Sequence, residues 1–261
     1  MWDFSFKRRV LHVDGKKLKV VEQFSEVLDH RVGQRNVLVK ARNIDNNIMS
    51  LLKIRYQLDP EIFGFFGDEN KEIMEIAEED FLFEVQAAMV LSEAGLGPQY
   101  INYERRTQPE WMPFPKGCVH VLVMKVPPGE NLDEIRDDLT DRQLDSIRTQ
   151  LAHILEIMRQ NYNKMIQQHP SYLNYDVHTN KLYLVDLAGL GFTDPDDNTS
   201  FPIDEESPYV EAFNLWREPY HKVDEGSEEA GETPSPDKRV VEKSHDPTRP
   251  VKKQKRPPWR H

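Results

Sequence analysis

Apolar and polar residues alternate at the start of the chain. Residues 7–22 read KRRVLHV, then Asp14-Gly15, then KKLKVVE, a pattern that predicts a β-hairpin around a two-residue turn. Further strand patterns follow at Val27–Leu28, Asn36–Ala41 and Ile48–Tyr56, with the polar Arg42–Asn47 as the turn joining the last two. After an acidic, Phe- and Gly-containing insert at Asp59–Asn70 the period changes. Ile73, Ile76, Phe81, Val85, Ala88 and Met89 recur at helical spacing over 71–93, and Gly95 and Gly97-Pro98 end that helix. Pro109–Lys116 is a proline-punctuated loop, Val119–Val126 a buried strand, and Pro127-Pro128-Gly129 a turn. Thr140-Asp141-Arg142-Gln143 has the form of a capping box. It opens a long helix with an apolar stripe at Leu144, Ile147, Leu151, Ile154 or Leu155, and Met158. Two short runs, Tyr172–Tyr175 and Lys181–Val185, flank the polar turn 176–180 and predict a second hairpin, with Asp186 directly after it. The order is α+β, with a mostly β first half and a helix-led second half.

Composition changes this picture at the C-terminal end. From about Asp224 the sequence is rich in Pro, Glu and Lys and too poor in large apolar residues to bury a core, so a disordered, acidic-then-basic tail over 221–261 is expected. Within it, Lys238-Arg239 and the cluster Lys252, Lys253, Lys255 and Arg256 have the spacing of a bipartite nuclear-import signal. That spacing implies an import receptor as a partner and a nuclear location, with the cytoplasm as the alternative. The formal net charge of −11 argues against general nucleic-acid binding. Cys118 is the single cysteine, so no intramolecular disulfide can form and a reducing, intracellular compartment is expected. No segment has the length and apolarity of a signal peptide or a membrane span.

Asp186 stands at the mouth of an apolar strand and is followed by Leu187-Ala188-Gly189, a placement suited to holding a metal ion. The order of motifs around it resembles the protein-kinase-like fold, particularly the short, divergent kinase-like proteins of filamentous fungi. IMSLLKIRYQ is similar to the third kinase strand, with Lys53 as the phosphate-pairing lysine. DFLFEVQAAMVLSEAGLGPQYI is similar to the helix that carries its partner, Glu84. VHVLVMKVPPGENLDEI is similar to the hinge strand and the loop after it, and LYLVDLAGL to the Asp-Phe-Gly strand. The resemblance implies a two-lobed fold with a β-rich N-lobe, about 25–125, and a shortened helical C-lobe, about 126–220, behind an N-terminal hairpin extension over 1–24. It implies that Lys53, Glu84 and Asp186 bind a nucleotide, with Lys53 and Glu84 ion-paired, and that ATP and Mg²⁺ are the ligands, Asp186 holding the metal.

Several family features are missing. The position of the catalytic aspartate falls on Gln167 and that of the metal-binding asparagine on Tyr172. Sliding the register by two would bring Asn174 and His169 to those positions, but residues 159–175 contain no Asp or Glu in either register. Gln167 cannot accept a hydroxyl proton. The phosphate-covering loop, HRVGQRNV, has the single glycine Gly33 where the family has three. These departures favour a pseudokinase, a binding or regulatory module for a protein partner, with weak nucleotide binding and no catalytic residue. The alternatives are an active small phosphotransferase with an unrecognised base, and an interaction protein that has lost nucleotide binding altogether.

Overall fold

The chain turns for the first time at Asp14 and Gly15, both at positive φ (50° and 68°). Two such residues make a tight hairpin whose twist matches its strands. The computed structural model describes residues 4–115 and 117–216. In it this turn joins β1 (Val10–Val13) to β2 (Lys16–Asp29), with Val13 opposite Lys16. β2 then pairs with β3 (Gln34–Asn43) and β3 with β4 (Met49–Gln57). After α1 (Gly67–Glu93), β5 (Tyr100–Thr107) and β6 (Cys118–Lys125) complete a six-stranded antiparallel sheet of order β1-β2-β3-β4-β6-β5. The expected boundary at residue 24 falls inside β2, so the N-terminal hairpin is continuous with the sheet rather than an extension of it. The strand β5 was not expected. Its sequence, YINYERRT, has tyrosines three residues apart and ends in four consecutive polar residues, so it shows neither apolar alternation nor an aliphatic run.

Two register shifts in β2, between Val20 and Glu22 and between Gln23 and Ser25, bend the sheet. It curls until the β1 hairpin lies against β5. There the Arg106 guanidinium donates to the His12 carbonyl, and the Asp14 N–H donates to the Glu104 carboxylate at 3.1 Å. One face of the curled sheet encloses a core of Leu11, Leu18, Val20, Val37, Val39, Leu52, Ile54, Val121 and Val123. Each such side chain contributes roughly 1.5–3 kcal/mol when fully buried. At one end Phe4, Phe6, Tyr56 and Trp111 interlock, with ring centroids 5.0–6.1 Å apart.

The opposite face packs Leu38, Leu51, Leu122 and Met124 on α1 and the second lobe. On α1, Phe81, Val85 and Ala88 are buried as expected, and Ile73 and Ile76 are half-buried. Met89 is 39% exposed, and Leu91 and Ala87 take the inner positions instead. At 100° per residue the inner face near the C-terminal end passes through 84, 88 and 91, and 89 turns away.

The second lobe begins with β7 (Glu130–Asn131) and the single turn α2 (Leu132–Ile135). Its main helix is α3 (Asp141–Gln160), opened by the Thr140 capping box with both reciprocal hydrogen bonds in place. Ile154 and Leu155 are both buried. β8 (Asn163–Met165) pairs with β11 (Leu190–Phe192), while β9 (Leu173–Asp176) and β10 (Lys181–Leu184) form the expected hairpin. The segment ends in α4 (Pro208–Glu211), from which Val210, Phe213 and Leu215 pack into the lobe. The Arg148 guanidinium lies 3.9 Å over the Trp216 ring. The tail from Asp224, with Lys238, Arg239 and the Lys252–Arg256 cluster, lies outside the described residues. Among the described residues no helix is long and apolar enough to cross a membrane. The architecture is α+β and two-lobed, with a β-rich first lobe and a short helical second one.

Candidate functional site

Strand periodicity puts Lys53 and Arg55 on one face of β4, the face turned towards α1 and the second lobe. Lys53 is 1% exposed. Its Nζ meets Asp186 Oδ1 at 2.5 Å, across a separation of 133 residues. Asp186 is 2% exposed and accepts two further hydrogen bonds. The Ala188 N–H donates to Oδ1 and the Ser25 hydroxyl, from β2, donates to Oδ2, both at 2.9 Å. One carboxylate thus ties the roof of the cleft to its floor. Two charges so far from water are tolerated because each neutralises the other and the carboxylate's remaining capacity is filled.

Glu84 of α1 is also buried, at 1% exposure, but its partner is not the one expected. The Arg55 Nε and a terminal guanidinium nitrogen both approach Glu84 Oε2 at 2.6 Å. The expected Lys53–Glu84 ion pair is therefore replaced by two others, Arg55–Glu84 and Lys53–Asp186. The planar guanidinium two residues along the same strand face offers Glu84 two donors at once, and Lys53 turns instead to the second lobe. Lys53, Glu84 and Asp186 do converge on one place. Lys53 and Glu84 line a cavity closed by Ala88, Leu91, Leu122, Met124, Leu184, Val185 and Leu187, but its volume is about 10 Å³. That is close to the least space a single water needs, roughly 10–15 Å³.

The loop before β9 carries no acid. Gln167 is exposed, and its backbone lies so close to Gly189 that a Cβ there would sit 2.6 Å from Gln167 Cβ. The Tyr172 carbonyl accepts the N–H groups of Val185 (2.8 Å) and Asp186 (3.2 Å). Burial, and then the Asp186 charge, raise the Tyr172 hydroxyl above the usual tyrosine value, so this ring sits within the field of Asp186. The His169 Nδ1 accepts from the Ser171 N–H (3.2 Å) and lies 2.7 Å from its hydroxyl, capping the short turn Pro170–Tyr172. His169 is a turn residue there, as is common for a polar side chain at a cap. Asn174 lies in β9, opposite Tyr183.

The stretch matched to the phosphate-covering loop packs elsewhere. Gly33 has φ +59°, and a Cβ there would meet Phe63 at 3.1 Å and Phe65 at 3.3 Å. Arg31 pairs with Asp29 and with Asp80 of α1. The hairpin tip is held down on the aromatic insert and on α1.

As a magnesium site the donor set is poor. Mg²⁺ is held through one or two carboxylates together with substrate phosphates, and here Asp186 has both oxygens engaged and Glu84 is taken by Arg55. Among the described residues there is no group of three or more His, Cys, Asp or Glu that could hold a metal. Sequence reasoning missed two residues of the site. Arg55 was readable from its spacing two after Lys53. Ser25 was not, because the second register shift in β2 decides which way it faces.

No protein-family model matches the sequence, and neither does any curated protein. Among solved structures the chain is similar to the kinase PK-1 of Cydia pomonella granulovirus, at 12% identity and a TM-score of 0.43, over 67% of this chain and 52% of that one. It is also similar to vaccinia related kinase 3, at 14% identity and a TM-score of 0.45, over 75% of this chain and 55% of that one. The chain spans about half the length of each. Likeness at that level does not extend to activity or substrate. The order of its elements, and the convergence of Lys53, Glu84 and Asp186, agree with the expected two-lobed α+β architecture of a β-rich first lobe and a shortened second one.

Proposed function

We propose that this chain is a pseudokinase, a kinase-like domain that works as a binding or regulatory module without phosphotransfer. The observation that carries this reading is the Lys53–Asp186 pair. The two side chains that would hold phosphates and metal neutralise each other at 2.5 Å, with Ser25 on the remaining oxygen. A nucleotide must break this contact to enter, so its binding is weak. The absence of any acid in residues 159–175 supports the same reading, because no group there can accept a hydroxyl proton.

The test is a thermal melt of the full chain with millimolar ATP, with and without Mg²⁺, alongside transfer of labelled phosphate to generic protein acceptors. A ligand at a hundred times its Kd stabilises by about 2.7 kcal/mol, which a protein of this size registers as a shift of several degrees. The expected result is no magnesium-dependent shift and no labelled acceptor. Acceptor labelling that disappears in Asp186→Ala would instead establish an active phosphotransferase.

The tail belongs to the same proposal, as the part that directs the module to the nucleus through an import receptor. Two basic clusters at a fixed distance suit capture in two acidic grooves, whereas a merely solvating terminus needs no such gap. A reporter fused to residues 224–261 is expected to accumulate in nuclei, and to lose this when Lys252, Lys253, Lys255 and Arg256 are all replaced by Ala. An evenly distributed reporter would remove the tail from the proposal.

A further inference from the structure

The curled sheet of the first lobe has two unlike ends. Phe4, Phe6, Tyr56 and Trp111 plug one of them. At the other, a cavity of about 310 Å³ opens among the β1–β2 turn, the β3–β4 turn, and the neighbouring ends of β5 and β6. Small-molecule sites run from roughly 300 to 1,000 Å³ and often sit in the mouths of barrels, so this one has room for a single-ring ligand. Its floor is apolar, with Leu18 and Val123 from the core and Met49 beside them.

The polar groups at this mouth follow from the register of β5. Glu104 and Arg106 face the interior and bond to the β1 hairpin, which draws the sheet round. Asn102 is the next residue in that row. Tyr100 pairs with Met124 and Asn102 with Val123, so Ile101 is a bulge, and the bulge aims Asn102 at the cavity. Its Oδ1 is buried without a hydrogen-bond partner among the described residues. An acceptor in that state is a cost that a bound donor removes. Lys125 follows Val123 on the same strand face and also lines the cavity, opposite Ser50. Lys16, on the rim, is paired with Asp14 at 3.2 Å. Among the described residues no carboxylate lies within ion-pairing distance of Lys125.

We infer that this mouth binds a small amphipathic monoanion. Its ring or short chain lies on Leu18, Met49 and Val123, a hydroxyl or N–H donates to Asn102 Oδ1, and its carboxylate meets Lys125. One available cation beside the Asp14 carboxylate suits a single negative charge and not a phosphate dianion. This site lies on the far side of the sheet from Lys53 and Asp186. It stands independently of the pseudokinase reading.

The test uses the full chain and three probes: para-hydroxyphenylacetate, its neutral alcohol tyrosol, and phenylacetate, which lacks the hydroxyl. Titrations are followed by saturation-transfer NMR at millimolar concentrations, with a thermal melt of each variant as a control for folding. The hydroxy acid is expected to bind saturably and more tightly than either comparator. Lys125→Met, at an exposed position, should weaken the acid by about tenfold, the size of one charge-assisted hydrogen bond, and leave tyrosol unchanged. Asn102→Leu should weaken both hydroxyl-bearing probes and spare phenylacetate. ATP should displace none of them. Absence of saturable binding would overturn the inference, as would equal binding of the acid to the parent chain and Lys125→Met.

Discussion

Asp186→Ala is expected to destabilise the protein by about 3–5 kcal/mol, because it strands the buried Lys53 ammonium beside Glu84, a carboxylate already paired with Arg55. The Ser25 hydroxyl and the Ala188 N–H lose their acceptor in the same stroke. For a domain of this size the melting temperature should fall on the order of 10 °C. The arrangement makes this larger than it would be in an open cleft. Were Lys53 paired with Glu84, removal of Asp186 would leave the lysine neutralised and stability almost unchanged. Here Glu84 is taken by Arg55, so the lysine has no alternative partner. The double variant Lys53→Met/Asp186→Leu removes both charges and should recover most of the loss, since apolar replacements of a buried pair are often neutral. A single variant that melts within a degree or two of the parent would mean that Lys53 and Asp186 are not paired in solution. The closed cleft would then lose its main support.

The parts of this site that sequence could reveal are those set by local rules. The Asp14-Gly15 turn, the Thr140 capping box and the glycines that end α1 each act within a few residues, and each was readable. So was the position of Asp186 after a short apolar strand. The choice of partners was not, because it is made between elements far apart in the chain. Whether Glu84 takes Lys53 or Arg55 depends on where α1 docks against β4, and two cations on one strand face leave that open. Ser25 was hidden for a different reason. Its strand contains two register shifts, and each reverses which face later residues occupy, so simple alternation cannot place it. β5 escaped notice because its inward row is Asn102, Glu104 and Arg106. Glu104 and Arg106 close the curled sheet by hydrogen bonds, and this polar row leaves no apolar alternation to read.

The folded state should also weaken steeply in mild acid, through His120. This residue lies in a polar row that crosses four strands, with Asn36 opposite Arg55, Arg55 opposite His120, and His120 opposite Arg105. The ring is 4% exposed, stacks on Phe81 of α1 with centroids 4.7 Å apart, and its Nδ1 has no partner among the described residues. Burial, and after it the positive charges of Arg55 and Arg105, push its pKa down from 6.5 to about 4. The carboxylates around this row are already engaged, Glu84 with Arg55 and Glu78 with Arg105. With the folded pKa below the unfolded one, the unfolded chain binds the proton first. Stability is therefore complete above about pH 6.5 and is lost as pH falls towards 4. A depression of that size corresponds to a loss on the order of 3 kcal/mol across the window. Glu156 takes over at lower pH. Its carboxylate is held by Arg159, the Ile203 N–H and Gln160, which bring it from 4.5 down to about 2, so its contribution is lost between those values. The check is urea unfolding at intervals between pH 7 and pH 4, on the parent and on His120→Phe. The parent's stability should fall through this range and the variant's curve should be much flatter. Parallel curves would show that His120 is not held neutral by its surroundings, and that the polar row admits a proton without cost.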